Sequence, residues 1–295
     1  MDLLWNIQNY FRTPFLDFLF SWITRLGEET ILIVVFCIVF WCVNKRSGYV
    51  VGISFFFSAL LVQGMKIIFR VPRPWMTDPN ILVLGAETAA TGYAFPSGHT
   101  QNAAAWLGAL AITTKKRVLQ IVFIILALLV GFSRLYLGVH FLSDVLVSLV
   151  ISGIVVILVH KMLPKEFVSK KKELVLPAII TGFATVVIAI IAYLYLTETT
   201  VAGQLRDAAI AAGAALGFAV GMYVERVYIQ FSVKSKTLVH QVVKFVLGII
   251  GALACLEGFR ILGSGLIATG ARYFLVVIWI LIVYPLIIKK FFSRK

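Results

Sequence analysis

From residue 29 onward the chain is dominated by long unbroken apolar stretches, not by alternation of apolar and polar positions. Nine such runs can be drawn, at 29–44, 48–69, 98–114, 118–134, 141–160, 174–196, 206–224, 239–257 and 271–288. Runs of this length match the thickness of a bilayer's hydrocarbon core. Within lipid only helices and closed barrels satisfy every backbone polar group. A barrel would alternate over short strands, so the pattern predicts an all-α integral membrane protein, a helical bundle of about nine transmembrane helices. Residues 3–26, LLWNIQNYFRTPFLDFLFSWITRL, break the pattern. They mix Trp5, Phe11, Phe15, Phe18 and Trp22 with Asn6, Asn9, Arg12, Asp17 and Arg25, and Pro14 interrupts them. Residues 1–28 therefore read as an N-terminal interfacial amphipathic segment of one or two helices at the outer surface; a tilted, weakly apolar extra span is the alternative.

Composition agrees. Of 295 residues 61% are hydrophobic and 14% charged, with a mean hydropathy of +0.98. The net charge of +14 could point to nucleic acid, but its distribution points elsewhere. Seventeen of the 27 basic residues fall at one set of junctions: Lys45-Arg46, Lys115 to Arg117, Lys161 through Lys172, Arg226 with Lys234 and Lys236, and the tail Lys289-Lys290 and Arg294-Lys295. The positive-inside rule assigns these loops and the C-terminus to the cytoplasm of a multi-pass protein in the cell (plasma) membrane, and no nucleic-acid partner is expected. Met1-Asp2-Leu3 has neither a basic n-region nor a small-residue cleavage site, so no signal peptide is expected. Cys37, Cys42 and Cys255 lie in or beside apolar spans at no metal-ligand spacing and read as small buried hydrophobes.

The organisation expected is the segment 1–28, a catalytic core over 29–162, a basic cytoplasmic linker over 163–173, and four additional spans with a basic tail over 174–295. In the seventh run Ala209, Gly213, Gly217 and Gly221 recur every four residues. Such a stripe admits close helix approach, either within the chain or as a homodimer interface through Gly213, Gly217 and Gly221.

Three segments fall on the outer side under this topology. The first runs from Lys66 to Arg73-Pro74, the second is Pro96-Ser97-Gly98-His99, and the third joins Ser133-Arg134 to His140 and Asp144. Lys66 alone would read as a snorkelling side chain, as Arg70 does. Pro-Ser-Gly before a helix is a start signal, and the free N–H groups there also favour an anion. His99 sits beside it as a proton donor. His140 and Asp144 are one helical turn apart, so the carboxylate can fix the imidazole tautomer and leave the other nitrogen's lone pair exposed. Together these predict phosphoryl transfer without a metal or cofactor. Lys66, Arg73 and Arg134 neutralise phosphoryl oxygens, the N–H groups of Ser97 and Gly98 add donors, His140 attacks and His99 protonates the leaving oxygen. The outer loops offer no cluster of metal ligands, with Asp78 and Glu87 isolated.

At these residues the chain resembles the type-2 phosphatidic-acid phosphatases, or lipid phosphate phosphatases, a family related to glucose-6-phosphatase and the vanadium haloperoxidases. The three family motifs, Lys-x6-Arg-Pro, Pro-Ser-Gly-His and Ser-Arg-x5-His-x3-Asp, stand complete within residues 50–160. The resemblance implies a helical-bundle core and metal-independent hydrolysis. It makes His140 the nucleophile, His99 the acid/base, Asp144 the orienter, and Lys66, Arg73, Ser97, Gly98 and Arg134 phosphate ligands. The substrate expected is the phosphate or pyrophosphate of a membrane lipid, such as phosphatidic acid or a polyprenyl diphosphate, taken from the bilayer. A sugar phosphate is the alternative. A lipid transporter or scramblase is a third reading, raised by Lys244 and Glu257, though Lys244 reads as snorkelling and Glu257 as paired with Arg260. The loop 75–95 is expected to shape the pocket.

Overall fold

A computed structural model describes residues 2–84, 92–166, 168–200, 202–235 and 237–292. Glu87, Lys236, the tail Arg294-Lys295 and much of the expected pocket loop lie outside them. No strand occurs among the described residues.

The chain begins with α1 (Asp2–Phe11) and α2 (Pro14–Ile23). Pro14 separates them: it cannot continue α1 but suits the first position of α2, where Thr13 Oγ1 accepts from the Leu16 N–H at 3.2 Å. After a tight turn come α3 (Glu29–Cys37), which runs into a π-helical turn at Ile38–Val43, and α4 (Lys45–Phe69), capped by Asn44. The short α5 (Pro74–Thr77) precedes α6 (Gly98–Thr113), α7 (Arg117–Tyr136) and α8 (Leu142–Met162). The single turn α9 (Lys170–Glu173) leads to α10 (Val175–Leu196), α11 (Ala202–Val224), α12 (Leu238–Gly258), α13 (Leu266–Ile278) and α14 (Tyr284–Ile287).

All nine expected runs are helical, yet among the described residues only seven helices are long and apolar enough to cross a membrane. An eighth is counted if Pro14–Gly27 and Glu29–Val43, which meet at 55°, form one broken span. The run expected at 98–114 falls short as the 16-residue α6. Ten of its 16 residues are buried and none is fully exposed, packed among α4, α7 and α8, so protein more than lipid surrounds it and nothing requires it to match the bilayer.

The last four long helices do not stand apart. One apolar core runs from Leu32 through Trp41, Leu107 and Phe218 to Ile288. Helix α11 packs on α4 on one side and on α10 and α13 on the others. At its far end the fully buried Glu225 accepts from Lys45 Nζ, the Tyr49 hydroxyl and the Phe231 N–H, and Trp41 Nε1 donates to the Ile280 carbonyl at 3.1 Å. The glycine stripe serves this packing. A Cβ at Gly213 would lie 2.1 Å from the Gly270 carbonyl oxygen of α13, and Gly217 and Gly221 face Phe274 and Leu281 of the same helical run. Of the two readings of the stripe, close approach within the chain is the one observed; a homodimer through these glycines would have to displace α13.

Two side chains read as snorkelling behave otherwise. Lys244 is fully buried, donating to the Val233 carbonyl at 2.8 Å and to Ser235 Oγ at 3.1 Å, because residues 233–235 fold over it. Arg70 turns the chain at φ 52° and donates to the Thr199 carbonyl at 3.1 Å, tying α4 to the loop after α10. Glu257 and Arg260 form an exposed ion pair at 2.8 Å, as expected.

Candidate active site

Each motif segment sits where a helix starts or ends. Lys66 lies on the last turn of α4, and Arg73 immediately precedes Pro74, the first residue of α5. Ser97 is the N-cap of α6, its Oγ accepting from the N–H of Thr100 at 3.4 Å and from Thr100 Oγ1 at 2.9 Å. Gly98 and His99 therefore open that helix. Arg134 is in the last turn of α7, and Asp144 in the first turn of α8. Between α7 and α8 the chain reverses through Gly138 at φ 73°, a left-handed conformation that only glycine adopts without strain. There is no room for a side chain either, since a Cβ would lie 2.3 Å from the Leu82 carbonyl oxygen. A small apolar cluster of Ile7, Phe20, Leu135, Tyr136, Leu137, Val139 and Val145 underlies this reversal and holds it in place.

The fold brings Lys66, Arg73, Gly98, His99, Arg134 and His140 onto the wall of one cavity of about 400 Å³. Ser97 and Asp144 stand behind that wall. The N–H of Ser97, expected to face phosphate, instead donates to the Asp144 carbonyl at 3.1 Å, and Ser97 is fully buried. Ser148 Oγ donates to the carbonyls of both Ser97 and Asp144, at 2.9 and 2.8 Å. Packing of α6 against α8 thus takes the Ser97 donor and makes the residue a helix cap. Gly98 faces open space.

The histidine geometry fixes a tautomer. His140 Nδ1 is 3.2 Å from Asp144 Oδ2, and its Nε2 is 3.3 Å from Arg73 Nη1. A guanidinium can only donate, so Nε2 carries the lone pair and Nδ1 the proton that Asp144 accepts. Burial, followed by the charges of Arg73 and Arg134, holds the His140 imidazole well below the usual histidine range. It is neutral at neutral pH, with its lone pair directed into the cavity beside Arg73. Asp144 Oδ2 also accepts the Phe141 N–H at 2.9 Å, which locks the carboxylate.

Cation density around the lone pair is high. Arg73 is anchored by the Gly92 and Val139 carbonyls at 2.9 and 3.2 Å, and Lys66 Nζ donates to the Tyr93 carbonyl. Arg134 is 1% exposed, and its Nη1 donates to Thr24 Oγ1 at 2.6 Å. Its Nε and Nη2, like His99 Nε2, are buried with no partner among the described residues. A buried guanidinium with two unsatisfied donors is costly without an anion, and the cavity is where one would sit. Among the described residues no group of three or more His, Cys, Asp or Glu is placed to hold a metal ion.

Several supporting residues lay outside the motifs, most of them in residues 1–28. Gln8 donates to the carbonyls of Leu82 and Tyr136 at 2.7 and 3.2 Å and accepts from the Leu82 N–H at 3.1 Å, clamping the reversal before His140. Thr24 holds Arg134. The Gly27 carbonyl accepts from Asn102 Nδ2 at 2.9 Å, and the Leu26 carbonyl from Trp106 Nε1 at 3.0 Å, both on α6. The N-terminal segment does expose Trp5, Phe11, Phe15, Phe18 and Trp22, as an interfacial element would. Its opposite face is built into the site.

Comparison with known proteins agrees with this geometry. Residues 47–167 match the PAP2 superfamily, and residues 209–295 match the PAP2 superfamily phosphatase transmembrane extension. Phosphatidylglycerophosphatase B of Bacillus subtilis is 30% identical over 151 residues, covering 46% of this chain and 69% of the relative. The undecaprenyl-diphosphatase of Sulfolobus acidocaldarius is 30% identical over 145 residues, 48% of this chain and 68% of the relative. A dihydrosphingosine 1-phosphate phosphatase of Schizosaccharomyces pombe is 34% identical over 105 residues, 35% of this chain and 25% of the relative. The chain belongs to the PAP2 superfamily and is a membrane lipid phosphatase of that type.

Proposed function

We propose that the protein hydrolyses the phosphate or pyrophosphate of a membrane lipid through a phosphohistidine, on the non-cytoplasmic face of the plasma membrane, with its C-terminus in the cytoplasm. The observation that carries the reading is the pairing of the His140 Nε2 lone pair with the unsatisfied Arg134 donors on one cavity wall. The charge distribution supports the membrane face.

In the first step Nε2 of His140 attacks phosphorus in line and the bond from phosphorus to the lipid oxygen breaks. Burial, followed by the charges of Arg134 and Arg73, holds the His99 imidazole well below the usual histidine range. The negative charge of the bound phosphate opposes that shift and lets His99 enter as imidazolium, which gives its proton to that oxygen, releasing a lipid alcohol or a lipid monophosphate. Asp144 accepts the Nδ1 proton's hydrogen bond throughout and steadies the positive charge that develops on the ring. Lys66, Arg73 and Arg134 lie against the phosphoryl oxygens, where charge is greatest in the transition state, and the Gly98 N–H adds a donor at the start of α6. In the second step His99, now neutral, takes a proton from water, whose oxygen attacks phosphorus. The N–P bond breaks, and inorganic phosphate and free His140 result. No step is routed through a metal.

Lipid is favoured over sugar phosphate by the rest of the cavity, whose walls include Ile33, Phe36, Phe55, Phe56 and Phe218. A sugar's hydroxyls would find no partner along this apolar stretch; the polar lining groups, among them Glu28, Glu29, Gln63, Asn102 and Asp207, are elsewhere on the wall. The relatives act, by their names, on lipid phosphates and diphosphates. Phosphate release should therefore be measured in detergent with chelator present, over phosphatidic acid, phosphatidylglycerophosphate, polyprenyl diphosphate, a long-chain base phosphate and glucose 6-phosphate. Release from a lipid and inhibition by vanadate are expected. A preference for glucose 6-phosphate would overturn the lipid reading, and full dependence on a divalent metal would overturn the mechanism.

A further inference from the structure

The cavity does not end at the phosphate site. On α4 its wall runs from Lys66 past Phe56 to Gly52 and Val51, the last fifteen residues earlier. At 1.5 Å per residue that is a depth of about 22 Å. On α11 the wall runs from Asp207 to Phe218, eleven residues and about 16 Å. The two helices thus give depths of about 16 and 22 Å, between half and three-quarters of the roughly 30 Å hydrocarbon thickness of a bilayer. The deep end is aromatic. The Phe218 ring lies 4.9 Å from that of Phe56 and 6.1 Å from that of Phe36, and a Cβ on Gly52 would come within 2.4 Å of it. Ala214 of α11, one turn above this floor, and Val277 of α13, beside it, also line the cavity, both from the part of the chain that follows the catalytic core.

We propose that the four additional spans complete the substrate site: one apolar chain of the lipid phosphate lies between α3, α4, α11 and α13 and ends against Phe218, which limits its length. The inference rests on the phosphatase reading and names what that reading leaves open. The occupant follows from continuity. The polar end of the cavity is the cation cluster, so whatever places phosphate there extends its next atoms along an apolar shaft at least as deep as one leaflet. Any second chain stays in the bilayer. The selection is steric, because a lipid chain leaving bilayer for cavity exchanges one apolar environment for another and gains little by transfer. A chain too short leaves the floor without van der Waals partners, and one too long meets the ring. An optimum length is therefore expected, not a steady gain with length.

Ala214 and Phe218 are one turn apart on the same face of α11, with Ala214 about 6 Å nearer the phosphate end. The test uses the full chain in detergent with single-chain alkyl phosphates from octyl to eicosyl. Each rate is divided by the same preparation's rate on p-nitrophenyl phosphate, which has no chain. Ala214→Leu should move the optimum to shorter chains and Phe218→Ala to longer ones. The ratio of long-chain to short-chain kcat/KM should shift in opposite directions, by roughly tenfold or more in each, as expected for a methylene-scale misfit in a shaped pocket. Should Phe218→Ala fail to fold, Phe218→Leu and Ala214→Leu carry the comparison. Profiles of the variants that superimpose on the parent's, with p-nitrophenyl phosphate still hydrolysed, overturn the gauge and leave the phosphatase reading standing. A parent protein that releases phosphate from no substrate removes both.

Discussion

The sharpest consequence of the site concerns Asp144→Asn. An asparagine at this position can present either its oxygen or its amide nitrogen to His140. With nitrogen there, Nδ1 would have to accept, the proton would move to Nε2, and the nucleophilic lone pair would vanish; in a serine protease that wrong tautomer costs about 10⁴-fold. The structure forbids it. Asp144 Oδ2 also accepts the Phe141 N–H at 2.9 Å, and a backbone N–H can only donate. An asparagine oxygen is therefore held at the Oδ2 position, and the His140 tautomer survives. What is lost is charge. Two unit charges about 4 Å apart at an effective dielectric near 20 interact by about 4 kcal/mol. With half a positive charge developed on the ring, the transition state loses about 2 kcal/mol, roughly 30-fold in kcat. Asp144→Ala removes both the charge and the lock, frees the tautomer and leaves the Phe141 N–H unsatisfied, so a loss on the order of 10⁴-fold is expected. The assay is steady-state phosphate release from a saturating lipid phosphate in detergent for the three proteins. An Asn variant as impaired as the Ala variant would refute the locking argument.

Four further expectations follow from the same geometry. In His99→Ala, p-nitrophenyl phosphate, whose leaving group needs no proton, should still phosphorylate His140 while hydrolysis stalls, so a rapid quench should trap more acid-labile phosphoprotein than in the parent; none should form in His140→Ala. The acid limb of kcat/KM set by His140 should fall below the usual histidine value of about 6.5, because a group held below its unfolded value stays neutral as pH drops through that point. By the same sign, folding stability should decline as pH falls below about 6.5, where the unfolded chain takes up a proton that the folded chain refuses; an acid limb above the usual value contradicts the buried, cation-flanked imidazole. Thr24→Val removes the hydroxyl that accepts from Arg134 Nη1 at 2.6 Å and should cost about 1–3 kcal/mol in phosphate affinity, read as a tenfold or greater rise in KM with a smaller change in kcat.

Much of the site was legible in the chain because its chemistry is carried by rare residue types in a greasy background. Ionisable groups within apolar runs are costly, so Lys66, Arg134, His140 and Asp144 stood out, and helix periodicity alone places His140 and Asp144 on one face. Ser97 was legible as a helix start but not as to where its N–H would point. That depended on α8 passing close enough for the Asp144 carbonyl to take it. Gln8 and Thr24 were not legible at all. A glutamine or threonine in an interfacial segment has many uses, and only the folding of α1 and α2 against the turn before His140 and the end of α7 gives these two theirs. Lys244 shows the opposite failure: the rule that long cations snorkel to the interface assumes an open route, which residues 233–235 close.

Taken alone, the order of residues determined the bilayer as solvent, the helical class and the three charged segments, since these depend on composition and on periodicities that any helix in lipid must obey. It also held the small-residue stripe on α11, but not the partner of that stripe. Tertiary structure decided that α13 is the partner, that α6 is enclosed and so need not span, and that the spans after residue 174 share a core and a cavity with the catalytic part. The physical reason is that lipid is as apolar as a leucine face and so exerts no pull that ranks one helix contact above another. Fit between backbones and the pairing of buried polar groups make that choice, and both exist only once the helices are in place.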